Sequence, residues 1–358
     1  MSAGSPKVLI VGAGPTGLTA AMELARQGIV PRVVEKRATP SPFSRAVGIL
    51  PPSMALLEPS GLADQIRNQA WIVRRLLLHR GEKPVAVLRA DLLDNPNHRL
   101  FALPQDKTET LLRQNFESHG GSVEYGSALQ SIDQDEDGAV ALIEGEESRY
   151  DFVLAADGVR STVRQQLGIG FDGIDLPEKW SIADVQVSHW PDADGFKIFL
   201  LDDGMVAIAI PLEKNRIRII ASTDDALAAY PHPVDVAHVN RSGAFTISIR
   251  MAQTYRKGRG FLAGDSAHCH SPAGGRGMNL GIADAVHFAN CLLHDRLDDY
   301  AQIRHDEGRK TIALSEGARK IVQSKSKWQR SALVGFARLA SHIPPINRMA
   351  LRRVLDVS

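Results

Sequence analysis

The chain has 358 residues, 44% hydrophobic and 23% charged, with a formal net charge of +1. That length accommodates two domains sharing an extensive interface, and a charge so near zero gives no general attraction to nucleic acid or acidic membranes. The two cysteines, Cys269 and Cys291, make neither a disulfide framework nor a metal-ligand spacing, so no metal is expected.

The chain enters an apolar strand almost at once, with no charged-then-apolar leader and no run long enough to span a bilayer. A cytoplasmic protein without integral membrane segments is the expectation. The first informative stretch is Lys7–Ala21, KVLIVGAGPTGLTAA, in which Gly12, Gly14 and Gly17 fit G-x-G-x-x-G between a strand and a helix. The first glycine makes the turn, the second admits a pyrophosphate close to backbone, and the third lets helix and strand pack closely. Pro15 and Thr16 open the helix, whose N-terminus carries partial positive charge toward phosphate. Glu35, with Lys36 beside it, closes the next strand about 20 residues on, where an acid grips ribose hydroxyls. A carboxylate there disfavours a 2′-phosphate, so the site suits FAD or NAD rather than NADP.

After a proline-rich loop, Thr39–Arg45, a helix is expected from Met54 to Gly61. A hairpin follows, Val73–His79 and Val85–Leu88, then a helix from Pro104 to His119. Tyr150–Arg164 carries a strand into Asp157-Gly158 and a helix starting near Ser161. Residues 171–255 alternate strands and turns and read as an inserted antiparallel sheet. Gly260–Asp265 is a strand running into a glycine-rich loop, Ser271–Gly277, and another helix. The rest is helical, broken at Pro344-Pro345. Its basic, amphipathic last segment, Ala350–Leu355, is expected to pack on the protein rather than on lipid, which a single short helix binds weakly.

GAGPTG, AADGVRS and LAGDSAHCHSPAGGRGMNLGIADA, in that order, resemble the three signatures of the FAD-dependent monooxygenases of the para-hydroxybenzoate hydroxylase fold. The resemblance covers nearly the whole chain. It implies an α/β protein: a Rossmann-like FAD-binding domain from residues 1–70, 101–170 and 256–315, a substrate-binding sheet from 71–100 and 171–255, and a helical segment 316–358. It implies resident FAD, with NAD(P)H as a transient co-substrate. Hydride reaches the flavin, a C4a-hydroperoxide forms with O2, and oxygen passes to a small aromatic, phenolic substrate.

By the same carry-over Gly264 is a cofactor-binding residue, Asp265 meets the ribityl chain, and Gly275, Arg276, Gly277, Met278 and Asn279 lie along the isoalloxazine. Arg45, Gln105 and Arg113 stand near the cofactor, and Asp157 serves FAD and NAD(P)H. The catalytic candidates are Arg45, the Pro272 carbonyl and Arg276, which would reinforce charge on the reduced flavin. His189, Tyr255, His268 and His270 read as structural rather than as bases. The inserted segment is short for the family, and Cys269 stands where an apolar residue is usual. A reductase or dehydrogenase of the same fold and a non-catalytic FAD- or ligand-binding protein are the rival functions. Monomer and homodimer both remain open.

Overall fold

Short apolar segments build a six-stranded sheet in the order Arg256–Lys257, Gly260–Leu262, Phe152–Ala155, Val8–Val11, Arg32–Glu35, Val123–Tyr125. The computed structural model describes residues 5–41, 46–82, 84–95, 97–190 and 194–357. All pairings are parallel except the edge hairpin, and Ile10 sits between Val33 and Leu154. Leu9, Ile10, Val153, Leu154, Phe261 and Leu262 are fully buried, as strands covered on both faces must be.

The helices are α1 (Pro15–Ala25), α2 (Pro51–Leu57), α3 (Leu62–Gln69), α4 (Gln105–Ser118) and α5 (Thr162–Gln166). They continue as α6 (Ala226–Ala229), α7 (Gly277–Leu293), α8 (Leu297–Val322), α9 (Lys327–His342) and α10 (Pro344–Leu355). Among the described residues no helix is long and apolar enough to cross a membrane, and no cluster of His, Cys, Asp and Glu could hold a metal ion.

The second layer is an eight-stranded sheet ordered His268–Cys269, Val236–Ala252, Phe171–Val187, Arg216–Ala221, Val206–Glu213, Gly195–Leu200, Arg75–His79, Pro84–Arg89. One pair departs from the expected antiparallel pattern: Gly195–Leu200 runs parallel to Arg75–His79, since the long connection between them permits a crossover. Val73, expected to open the hairpin, instead ends the strand Trp71–Val73, which joins Gly48–Ile49 and Leu100–Ala102 in a small separate sheet.

The two longest strands, Phe171–Val187 and Val236–Ala252, carry weak alternation because their outer halves are exposed and bulges shift register near Asp175 and Lys179. The expected helix at 54–61 begins earlier, at Pro51, and gives way to a short 3₁₀ turn ended by Gly61 with φ 71°. The Ala350–Leu355 segment packs inward, with Leu351 and Leu355 buried against Leu50 and Leu93.

Candidate active site

The three glycine motifs meet at one point. A Cβ on Gly12, whose φ is +104°, would lie 2.4 Å from the Ala156 carbonyl oxygen. One on Gly17 would lie 1.9 Å from the Gly12 oxygen, and one on Gly264 2.5 Å from Thr16 Oγ1. So the α1 turn touches both the Asp157-Gly158 turn and the Gly264-Asp265 turn. Gly281 in α7 presses on Thr16 as well, at 2.3 Å from a built Cβ. Gly14 differs, for nothing lies within 4 Å of its Cβ position. The chain is closed at Gly12, Gly17 and Gly264 and open at Gly14, in front of the α1 N-terminus that begins at Pro15.

Glu35 is buried at the end of its strand. Its Oε2 accepts the Ala13 amide at 3.0 Å, and Oε1 accepts the Arg37 amide and Nε, each at 3.0 Å. Burial alone would raise this carboxyl, but the bonds from Arg37 and Ala13 outweigh it and hold it below its usual range. The cation there is Arg37, a residue the sequence reading passed over, while the expected Lys36 is exposed.

Beside it a cavity of about 230 Å³ is lined by Pro40, Ser41, Asp106, Glu109, Arg113 and Tyr125. Arg113 pairs there with Glu117 at 2.6 Å, and Gln105 donates to Glu109 at 2.8 Å. Burial pushes Glu109 up to about 7. Gln105 also accepts the Ala46 amide, so α4 holds the end of the loop that contains Arg45; Arg45 itself lies outside the described residues.

Asp157 caps α5. Its Oδ2 accepts the amides of Thr162 at 2.7 Å and Val163 at 3.3 Å, while burial pushes the carboxyl up. Its Oδ1 is buried with no hydrogen-bond partner among the described residues. Asp265 is exposed at the neighbouring turn.

Gly274 and Gly275, with φ of +86° and +62°, bring the chain into α7. The Pro272 carbonyl accepts the Gly275 amide at 2.9 Å. Asn279 ties the α7 N-terminus to the small sheet: Oδ1 accepts the Leu50 amide at 2.8 Å, and Nδ2 donates to Gly48 and Gly275 carbonyls. Gly277 opens α7 and the half-buried Met278 follows it. Arg276 departs from its expected direction, because its Nη2 donates to the carbonyls of Arg353 and Val354 near the end of α10.

A buried network fixes the third motif. Asp284 Oδ2 accepts the Gly264 amide at 2.9 Å and bonds His268 Nε2 at 2.6 Å, while Oδ1 accepts Arg304 Nε at 2.7 Å. Burial opposes the charge of Asp284, but His268 and Arg304 outweigh it and hold the carboxyl low. Tyr255 packs on His268 and His305 in the same core. His270 is pushed down to about 4 by burial, and His189 is exposed just beyond the Phe171–Val187 strand. The Asp284 partnership had one sequence signal, a lone acid inside the otherwise apolar α7.

A second buried pair joins the layers. Arg218 Nη2 donates to Asp184 at 2.7 Å and Nη1 to the Ala46 carbonyl at 3.2 Å, so the large sheet reaches Ala46 directly.

A glycine-closed turn at a helix N-terminus, an acid at the end of the next strand and a second sheet over the site define a dinucleotide-binding protein of two layers. The FAD binding domain family matches residues 5–235 and 223–315. Rifampicin monooxygenase of Streptomyces venezuelae is 32% identical over 78% of this chain and 62% of its own length. The 6-methylpretetramide 4-monooxygenase of Streptomyces rimosus is 30% identical over 99% and 69%. Para-nitrophenol 4-monooxygenase of a Pseudomonas species is 30% identical over 80% and 77%.

The solved p-nitrophenol 4-monooxygenase of Pseudomonas putida superposes with a TM-score of 0.88, 24% identity and 98% coverage of both chains. Anhydrotetracycline hydroxylase of Streptomyces rimosus gives 0.79 at 27% identity, covering 98% of this chain and 76% of the other. The chain thus spans about three fifths of the rifampicin monooxygenase it matches. It belongs to the FAD-binding monooxygenase family of the para-hydroxybenzoate hydroxylase fold, whose cofactor is FAD. The residues present fit that group: the open space at Gly14, the ionised Glu35 and the partnerless Asp157 Oδ1 are polar or vacant where a dinucleotide needs them.

Proposed function

We propose that the chain is a flavin-dependent monooxygenase that hydroxylates a small phenolic compound with NAD(P)H and O2. The observation that supports it most is the convergence of three motifs around Gly12, Gly17 and Gly264 with Gly14 left open. When bound, FAD supplies hydride acceptance and dioxygen activation, chemistry no side chain offers.

The chain's part is binding, orientation and exclusion of water. Gly12, Gly14, Pro15, Thr16 and Gly17 receive the pyrophosphate at the α1 N-terminus. Glu35, with Arg37 and Lys36 beside it, holds the adenosine ribose, while Gln105 fixes Ala46 and Arg113 lines the neighbouring cavity. Asp157 and Asp265 offer acceptors to the remaining hydroxyls. Gly264, Gly275, Gly277, Met278 and Asn279 form the surface for the ring, and the α7 N-terminus favours negative charge there.

Pro272 offers a carbonyl to the substrate hydroxyl with the lone pair its turn bond leaves. Arg276 acts by holding α10 rather than by touching the reacting atoms. Burial holds His270 down to about 4, and its Nδ1 faces the Ser271 carbonyl at 2.8 Å, so it serves as an uncharged structural group. Val47, Val73, Ala102, Ile210 and Leu212 close an apolar layer between the sheets that keeps water out. A phenolic substrate is supported by relatives named for para-nitrophenol and pentachlorophenol.

The test is turnover of FAD-loaded protein on a panel of phenols under ¹⁸O₂. Substrate-dependent NAD(P)H oxidation with one labelled oxygen in the product is the expected result. Reduction of the organic substrate without label would establish a reductase instead, and absence of both would leave a binding protein.

A further inference from the structure

The net charge of +1 conceals an uneven distribution. Residues 317–355 contain nine Lys or Arg and no Asp or Glu, which leaves −8 on the remainder. Within this stretch α9 is apolar on two opposite faces. One face is seated: Val334 packs with Trp180, Leu200, Val206 and Ile247 of the large sheet, Arg330 donates to the Leu201 carbonyl, and Ser341 accepts the Val87 amide. The other face carries Trp328, Ala332, Phe336, Leu339 and Ile343, spaced to share one side of the helix. Trp328 is 78% exposed, Phe336 53% and Leu339 49%, and Met349 of α10 adds another apolar group at 58%.

An apolar stripe with tryptophan at its start and exposed Lys327 and Arg338 at its margin is the pattern of a helix lying in a lipid interface. We propose that the outward face of α9 docks this protein on bilayers containing anionic lipid. The apolar residues enter the headgroup boundary while Lys320, Lys325, Lys327 and Arg338 meet the lipid phosphates. A second copy fits the face poorly, since two-fold packing would press the exposed Lys320, Lys325, Lys327 and Arg338 toward their counterparts with no acid of residues 317–355 to neutralise them. The segment Ala350–Leu355 remains packed inward, so the docking element is the preceding helix, whose seated face holds it rigidly to the body of the protein.

The test uses FAD-loaded protein and vesicles of phosphatidylcholine alone or with about 30% phosphatidylglycerol, a charge density that attracts polybasic segments. Flotation is expected to recover the protein with the phosphatidylglycerol vesicles and to give at least roughly tenfold weaker binding to phosphatidylcholine. Trp328 emission shifts to the blue on binding, and Trp328→Phe removes that shift. The double variant Trp328→Glu/Phe336→Glu, confined to exposed positions, abolishes flotation while FAD content and unfolding temperature stay unchanged. Lys327→Gln/Arg338→Gln removes the preference for phosphatidylglycerol and keeps the stripe. Equal, negligible recovery with both vesicles would overturn the proposal. So would unchanged flotation of both double variants, or a concentration-dependent dimer in light scattering that Trp328→Glu dissolves. Since no arm reads turnover, the outcome is separate from that of the hydroxylase assay.

Discussion

Gly17→Ala and Gly14→Ala separate what two glycines of one motif do. In an open helix, Gly to Ala stabilises by about 0.8–1 kcal/mol. At Gly17 the new methyl would sit 1.9 Å from the Gly12 oxygen and 3.2 Å from Ala156 Cβ. Gly12 cannot retreat, because its amide donates to the Val34 carbonyl at 2.8 Å and its own α-carbon faces the Ala156 carbonyl. Relief requires α1 to move off the sheet by about 1 Å, and overpacking of this kind costs about 1–3 kcal/mol or more. The backbone obstacle places this case at the upper end, so the net loss after the helix gain is about 2 kcal/mol.

Gly14 is the N-cap with φ −81° and ψ −177°, a conformation any residue adopts, and its Cβ meets nothing. Gly14→Ala therefore costs less than about 1 kcal/mol of fold stability. It should nonetheless weaken FAD by about tenfold or more, equivalent to about 1.4 kcal/mol, because the methyl occupies the space the pyrophosphate enters. Circular dichroism melts of both apoproteins and FAD titrations by fluorescence quenching read the two effects. A Gly17→Ala protein that melts at or above the wild-type temperature would refute the packing argument, and wild-type FAD affinity in Gly14→Ala would refute the assignment of the open space.

Asp284→Asn leaves Arg304 buried without an anion and should destabilise by about 3–5 kcal/mol, read by denaturant unfolding. Because Asp284 is held below the unfolded value of about 3.9, its stabilisation is complete above that value and lost as pH falls through the lower folded one. The variant should therefore show a flatter acid limb. Glu109, raised to about 7, works in the opposite sense: the folded state holds its proton more tightly, so stability declines between about pH 4.3 and 7. Glu109→Gln should remove that decline, and an unchanged melting-temperature profile over this range would count against it. Burial raises both thiols, Cys269 and Cys291, so neither should react with iodoacetamide at pH 8 until the protein unfolds; mass spectrometry of the labelled native protein checks this.

Much of the site was legible because its elements announce themselves locally. Strand, glycine turn and helix at Val8–Ala25 are readable from neighbours in sequence, as are the Asp157 turn with its Ser161 cap and the glycine run before α7. Most of what escaped is non-local, the choice of Arg37 over Lys36 being the exception. Arg37 rather than Lys36 meets Glu35 because of where each side chain points after the strand ends, and Asp284 meets Gly264 across 20 residues. Arg276 was misdirected for the same reason, since its partners on α10 lie 77 and 78 positions away.

By itself the sequence determined the family, the order of the three motifs and the layered α/β plan, since glycine spacing and apolar periodicity act through adjacent residues. Only the tertiary structure decided that Gly12, Gly17 and Gly264 close on one another while Gly14 stays open, and that α9 spends one apolar face on the sheet and presents the other outward. Those outcomes depend on which surfaces meet. A helical pattern states that a face is apolar, and packing alone states what covers it.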